Sequence, residues 1–95
     1  MAGRKWPQLT LAEAARLFNL LADESRLRIL LLLGRDGELS VTKLSEFTGQ
    51  SQPAISHHLT LLRLGRLVEC RRAGKFSYYS VTSALARDLL GMVSG

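Results

Sequence analysis

The 95-residue chain predicts a mainly α-helical domain with one β-hairpin, an α+β arrangement of about five helices. Three observations predict it. Apolar residues recur at helical spacing from about residue 10 to 64, in segments punctuated by capping residues and glycines. The period then switches to alternation over about 67–81, and helical spacing returns over about 83–93.

Residues 1–9 read as a lead-in, and 10–95 as a single domain. Thr10-Leu11-Ala12-Glu13 is a capping-box pattern, and Leu11, Ala14, Ala15, Phe18, Leu21 and Ala22 then recur at helical spacing, so the first helix is expected at about 11–22. Asp23 is expected to cap a second helix, about 24–33, with Leu27, Leu30 and Leu31 on one face, Arg26 and Arg28 able to face water, and Gly34 as the stop. Leu39-Ser40-Val41 fits a very short strand. Thr42 then caps a third helix with Leu44 and Phe47 inward, closed by Gly49. Ser51 is the expected cap of a fourth helix over about 52–64, because Pro53 suits a first turn where its missing N–H leaves nothing unpaired. Ile55, Leu59 and Leu62 form its apolar face, and Gly65 ends it. The runs Leu67–Arg72 and Phe76–Val81 surround Ala73-Gly74-Lys75, which reads as a hairpin with a three-residue loop. Thr82 is expected to cap a last helix carrying Ala84, Leu85, Leu89 and Met92.

Composition narrows the function. Hydrophobic residues make up 46% of the chain, enough for a core, so disorder over most of its length is not expected. The longest aliphatic run, Ile29 to Leu33, is far short of the roughly 20 residues of a membrane span. Charged residues near Met1 have no apolar stretch behind them, so no secretory signal is expected. The single Cys70 excludes an intrachain disulfide and any multi-cysteine metal cage within the chain. The net charge of +5 is unevenly placed: residues 50–80 carry Arg63, Arg66, Arg71, Arg72 and Lys75 against Glu69 alone, a local +4. That clustering points to a polyanionic partner, nucleic acid ahead of membrane. No paired carboxylates or Gly-rich phosphate loop suggest an enzyme, and Cys70 has no credible base beside it.

Two short helices joined by a tight turn at Gly49–Ser51 and followed by a basic hairpin make a winged helix-turn-helix pattern, with the helix pair at about 43–64 and the wing at about 67–81. The second helix of such a pair enters the major groove and reads base edges with polar residues opposite its apolar stripe. Gln52, Ser56, His57 and Thr60 meet that requirement. Ser51, Arg63, Arg66, Arg71, Arg72 and Lys75 are the candidates for backbone phosphate. His57 and His58 point about 100° apart, so His57 is placed on the DNA face and His58 in a partly buried role. One of Tyr78 and Tyr79 is expected in the core and the other outward.

At these residues the sequence resembles the ArsR/SmtB family of bacterial winged-helix repressors. The similar segments are Leu21-Ala22-Asp23-Glu24-Ser25-Arg26-Leu27-Arg28-Ile29-Leu30, Ser51-Gln52-Pro53-Ala54-Ile55-Ser56-His57-His58-Leu59 with Leu61-Leu62-Arg63, and Gly65-Arg66-Leu67-Val68 with Arg71-Arg72, Gly74 and Tyr78-Tyr79. The family more often has Pro where Glu24 stands. The resemblance implies a homodimer, built mainly from the first and last helices, that binds a double-stranded DNA operator as a repressor in the bacterial cytoplasm and is released by an effector. A core this small also favours dimerisation, and Leu11, Ala15, Phe18, Leu85, Leu89 and Met92 are the candidate seam. Trp6 is expected either to be loose or to pack on the partner subunit. The other reading is a winged helix used for protein contact, such as an antitoxin-like adaptor.

The family's sensor sites are departed from here. Where its metal sensors carry thiolates, this chain has Glu38-Leu39-Ser40-Val41-Thr42, and hydroxyls are poor ligands for soft metals. Residues 83–95 hold Asp88 but no His or Glu, too few donors for a tetrahedral zinc site. No metal site and no cofactor are expected, and the inducing signal is unidentified. Cys70 reads as a small apolar strand residue.

Overall fold

The computed structural model describes residues 8–93, so the expectation for Trp6 lies outside the described residues. The elements are α1 (Leu11–Leu21), α2 (Glu24–Asp36), β1 (Leu39–Ser40), α3 (Val41–Thr48), α4 (Gln52–Leu64), β2 (Val68–Ala73), β3 (Phe76–Val81) and α5 (Ala84–Leu90). Each of these helices begins at a side-chain oxygen that accepts from the amide three residues on: Thr10, Asp23, Ser40, Ser51 and Ser83. The Thr10–Glu13 capping box is complete, with reciprocal bonds of 3.0 and 3.1 Å.

Two caps differ from expectation. α3 starts from Ser40 rather than Thr42, because pairing of Ser40 with Tyr78 holds it extended and ready to cap. α5 starts from Ser83 rather than Thr82, whose amide donates to the Leu67 carbonyl and so belongs to the end of the sheet. Helix α2 runs through Gly34 to Asp36. The backbone leaves the helix only at Gly37, where φ is +86°, a region that favours glycine. Helix α5 ends at Leu90, so Met92 lies beyond it, and its buried positions are Ala86 and Leu90 rather than Leu85 and Leu89. Phe47 is half exposed instead of inward: Leu44 fills the core position, and the Arg35 guanidinium stands 5.7 Å from the Phe47 ring centre. Arg26, which the helical spacing allows to face water, has only 13% of its side chain exposed.

The strands form an antiparallel sheet in the order β1-β3-β2. β2 and β3 pair from Val68↔Val81 to Ala73↔Phe76, which leaves a two-residue turn at Gly74-Lys75, one shorter than expected. Helix α2 is central, packing on α1, α3, α4, α5 and β3. Ile29, Leu30, Leu33, Leu44, Ile55, Leu59, Leu62 and Leu67 are fully buried around it, with Val68 and Val81 closing the sheet side. No residue of α1 is buried, although Leu17, Leu20 and Leu21 lean on this core.

Gly65 caps the end of α4, as expected, and the chain then turns sharply. Leu67 N donates to Leu62 O and Arg66 N to Arg63 O, the two bonds of a Schellman motif. Its left-handed residue is Arg66, at φ +61°, one place after the glycine. Gly65 also lies close to α1, since a Cβ there would meet the end of the Leu20 side chain.

Candidate nucleic-acid interface

Helix α4 sorts its side chains by face. Ile55, Leu59 and Leu62 point into the core, and Gln52, Ser56, His57, Thr60 and Arg63 are exposed. The four candidate base readers therefore stand on the surface of one helix, as the apolar period requires. The Thr60 hydroxyl donates to the Ser56 carbonyl at 2.9 Å, so Thr60 offers a groove its lone pairs and its methyl group. Ser51 sits at the N-cap with its hydroxyl bonded to Ala54 N, and the positive end of the helix dipole faces the same direction. His58 turns away from this row and is half-buried, with an Nδ1 atom that has no hydrogen-bond partner. The Asp23 carboxyl is held below its ordinary range mainly by the Arg26 amide, then by the Arg26 guanidinium and the nearby His58.

The turn between α3 and α4 is braced by side chains that composition alone did not single out. Thr48 Oγ1 donates to Leu44 O and accepts from Gln50 N, and Ser45 Oγ donates to Gln50 O. Gln50 Nε2 donates to Ser25 Oγ on α2.

Strand alternation divides the wing cations. Val68, Cys70 and Arg72 share one face of β2, opposite Val81, Tyr79 and Ser77. This is the core side, and Tyr79 packs against the core. Burial raises the Tyr79 hydroxyl above its ordinary value, followed by its bond with Cys70, while the charges of Arg63 and Arg72 pull it down. Arg72 and Arg63 thus flank one side of the wing. Arg71 is on the other, opposite Tyr78, where it makes a two-pronged pair with Glu38 at 2.8 and 3.1 Å and lies 5.1 Å from the Tyr78 ring centre. That pair holds Glu38 below the ordinary carboxylate range. Arg63, Arg66, Arg72 and Lys75 are exposed. Along the sequence Arg71 and Arg72 look alike, and Glu38 goes unnoticed, since a carboxylate 33 residues upstream gives no local signal.

The remaining candidates lie on α1 and on or just beyond α5. Leu11, Ala15, Phe18 and Met92 are exposed, and Leu85 and Leu89 are half-buried. Of these, Ala15 and Leu85 line an open groove of about 910 Å³, together with Leu17, Leu20, Leu61 and Leu64. Ser40, where metal-sensing relatives are expected to carry a thiolate, caps α3 through Lys43 N. Among the described residues no group of three or more His, Cys, Asp or Glu could hold a metal ion, and no helix is long and apolar enough to cross a membrane.

A helix-turn-helix whose second helix presents polar residues beside a cationic hairpin defines the winged-helix class of DNA-binding proteins. The chain belongs to the arsR family of bacterial regulatory proteins, whose model matches residues 23–69, from the cap of α2 into β2. It is 32% identical over 81 residues to an HTH-type transcriptional regulator of Methanocaldococcus jannaschii, covering 85% of this chain and 91% of that one. It is 49% identical over 67 residues to the arsenical resistance operon repressor of Escherichia coli, covering 70% and 57% respectively. The homodimeric winged helix-turn-helix DNA-binding domain of a possible ArsR-family regulator from Mycobacterium bovis has a TM-score of 0.78, 32% identity, and coverage of 93% and 85%. The chain spans only between 52% and 61% of the length of several other curated relatives it matches. It is a DNA-binding transcriptional regulator rather than an enzyme.

Proposed function

We propose that the chain is a homodimeric repressor of the cytoplasm that recognises a specific operator in double-stranded DNA and is released by a signal other than metal binding at thiolates of α3. Gln52, Ser56, His57 and Thr60 read base edges, and Ser51, Arg63, Arg66, Arg72 and Lys75 engage phosphates. Arg71 reaches phosphate only when it leaves Glu38. The seam between copies involves Leu11, Ala15, Phe18, Leu85, Leu89 and Met92. One observation carries this reading: the exposed row on α4 is polar, while the row opposite it is wholly buried. A helix held so firmly by one face is free to offer the other to a groove.

The test is selection of bound duplexes from a random pool. The expected product is an inverted repeat with half-sites one turn apart, about 34 Å, or a multiple of that. Its affinity should fall steeply with salt. Recovery of no enriched sequence, together with no gel shift at low salt, would show that α4 does not read DNA.

A further inference from the structure

We infer that Gln50 and Ser25 are a positioning pair for DNA recognition: their hydrogen bond sets the pitch of α4 against α2 and thereby the discrimination of the operator. The inference rests on the reading that α4 reads bases.

The apolar anchoring of α4 begins at its fourth residue. Its first fully buried residue is Ile55, and Gln52 and Pro53 before it are exposed. Gln52 therefore stands ahead of the first buried anchor, and Ser56 and His57 follow it directly. Their hydrogen bonds to bases tolerate only small errors of distance and angle, so a polar restraint at the turn ahead of α4 adds to what the core supplies. The bonds among Leu44, Ser45, Thr48 and Gln50 shape the turn but join residues at most five apart, so they do not tie it to the rest of the molecule. The bond from Gln50 Nε2 to Ser25 Oγ does. It is 2.7 Å long, partly buried, and spans 25 residues.

Ser25 stands on a fixed support. It lies in the first turn of α2, beside the Asp23 cap and beside Arg26. Arg26 Nε donates to Leu20 O at 2.8 Å and Nη2 to Asn19 O at 3.3 Å, satisfying carbonyls at the end of α1. One turn of α2 therefore holds the end of α1 and the turn that leads into α4. Because α1 belongs to the proposed seam between copies, the same turn links the geometry of the dimer to the angle of the reading helix.

The test uses Ser25→Ala, Gln50→Met and the double variant, with affinity measured for the selected operator and for random duplex at one salt concentration. Ser25→Ala improves helix propensity, and Gln50→Met keeps side-chain length while removing the donor, so both should fold; thermal melting checks this. Each single variant should weaken operator binding about five-fold, the ratio a single net hydrogen bond supplies. Random-duplex binding should stay within about two-fold, and the double variant should be no worse than either single one. Ser25→Thr, which retains the hydroxyl, should bind the operator as the natural protein does. A merely structural role would lower both affinities together. Wild-type discrimination by both Ser25→Ala and Gln50→Met, or multiplying effects in the double variant, overturns the pair alone. A natural protein that prefers no sequence overturns the reading of α4 and this inference with it.

Discussion

Helices α1 and α4 are both amphipathic, yet the fold uses them in opposite ways. Helix α4 buries Ile55, Leu59 and Leu62 completely and faces water with polar side chains from Gln52 to Arg63, leaving only its last residue, Leu64, as an exposed leucine. Helix α1 buries nothing completely and leaves Leu11 at 89% and Phe18 at 61% exposure. A helix whose apolar stripe is satisfied inside the chain offers polar groups to a polar partner. One whose stripe is left in water retains a hydrophobic driving force for association, and in a chain of this size a second copy is the economical occupant.

The largest expected effect tests the anchoring of α4. Leu59→Ala should lower unfolding stability by about 3 kcal/mol in denaturant titration, because it leaves a cavity beneath the reading helix. Leu11→Ala at the exposed end of α1 should change monomer stability by less than about 0.5 kcal/mol. Equal effects would erase the contrast. Next comes the seam: Phe18→Glu should give monomers in sedimentation and weaken operator binding by about 100-fold or more, the avidity lost when two half-sites are no longer linked. Retention of a dimer would move the seam off α1. On the outward face of α4, Ser56→Ala or His57→Ala should each reduce discrimination of operator from random duplex by about 1–3 kcal/mol, read from competition binding. Arg72→Ala should weaken both duplexes alike.

A smaller effect concerns the wing. Glu38 has a folded-state pKa below its unfolded value, so the attraction it contributes is present above the ordinary range near 4.3 and is lost as pH falls through the lower folded value. Tyr78 ring signals in NMR should therefore shift in acid, and Glu38→Gln should abolish that titration. The same substitution releases Arg71, so the salt dependence of random-duplex binding should steepen by about 0.9, the contribution of one phosphate contact. The smallest effect tests how α2 ends. Gly34 lies within the helix with open space where a Cβ would stand, so Gly34→Ala should raise stability by about 0.5–1 kcal/mol in thermal melts, whereas Gly37→Ala should lower it.

Local chemistry made much of this legible. The bounds of α4, its Ser51 cap and its polar row follow from spacing and capping that act within a few residues. The readings that failed depended on distant groups. Thr82 looks like a cap until its amide is found on Leu67 O, and Ser40 becomes the cap of α3 because Tyr78 holds it extended. Gly65 does cap α4, but the left-handed turn falls one residue later, on Arg66, where no local signal marks it. Of the candidate site, exposure of all four candidate base readers was legible, whereas the division between Arg71 and Arg72 was not, because strand alternation matters only once Glu38 is brought alongside.

By itself the sequence determined the kinds of element, their order, and the concentration of positive charge in residues 50–80, since periodicity, capping and charge are properties of neighbouring residues. Only tertiary structure decided which apolar faces close on the core and which stay in water, which wing arginine is held by a carboxylate, and where the turn before α4 is pinned. Those outcomes depend on contacts between residues 25 and 33 positions apart, and such distances carry no periodic signal along the chain.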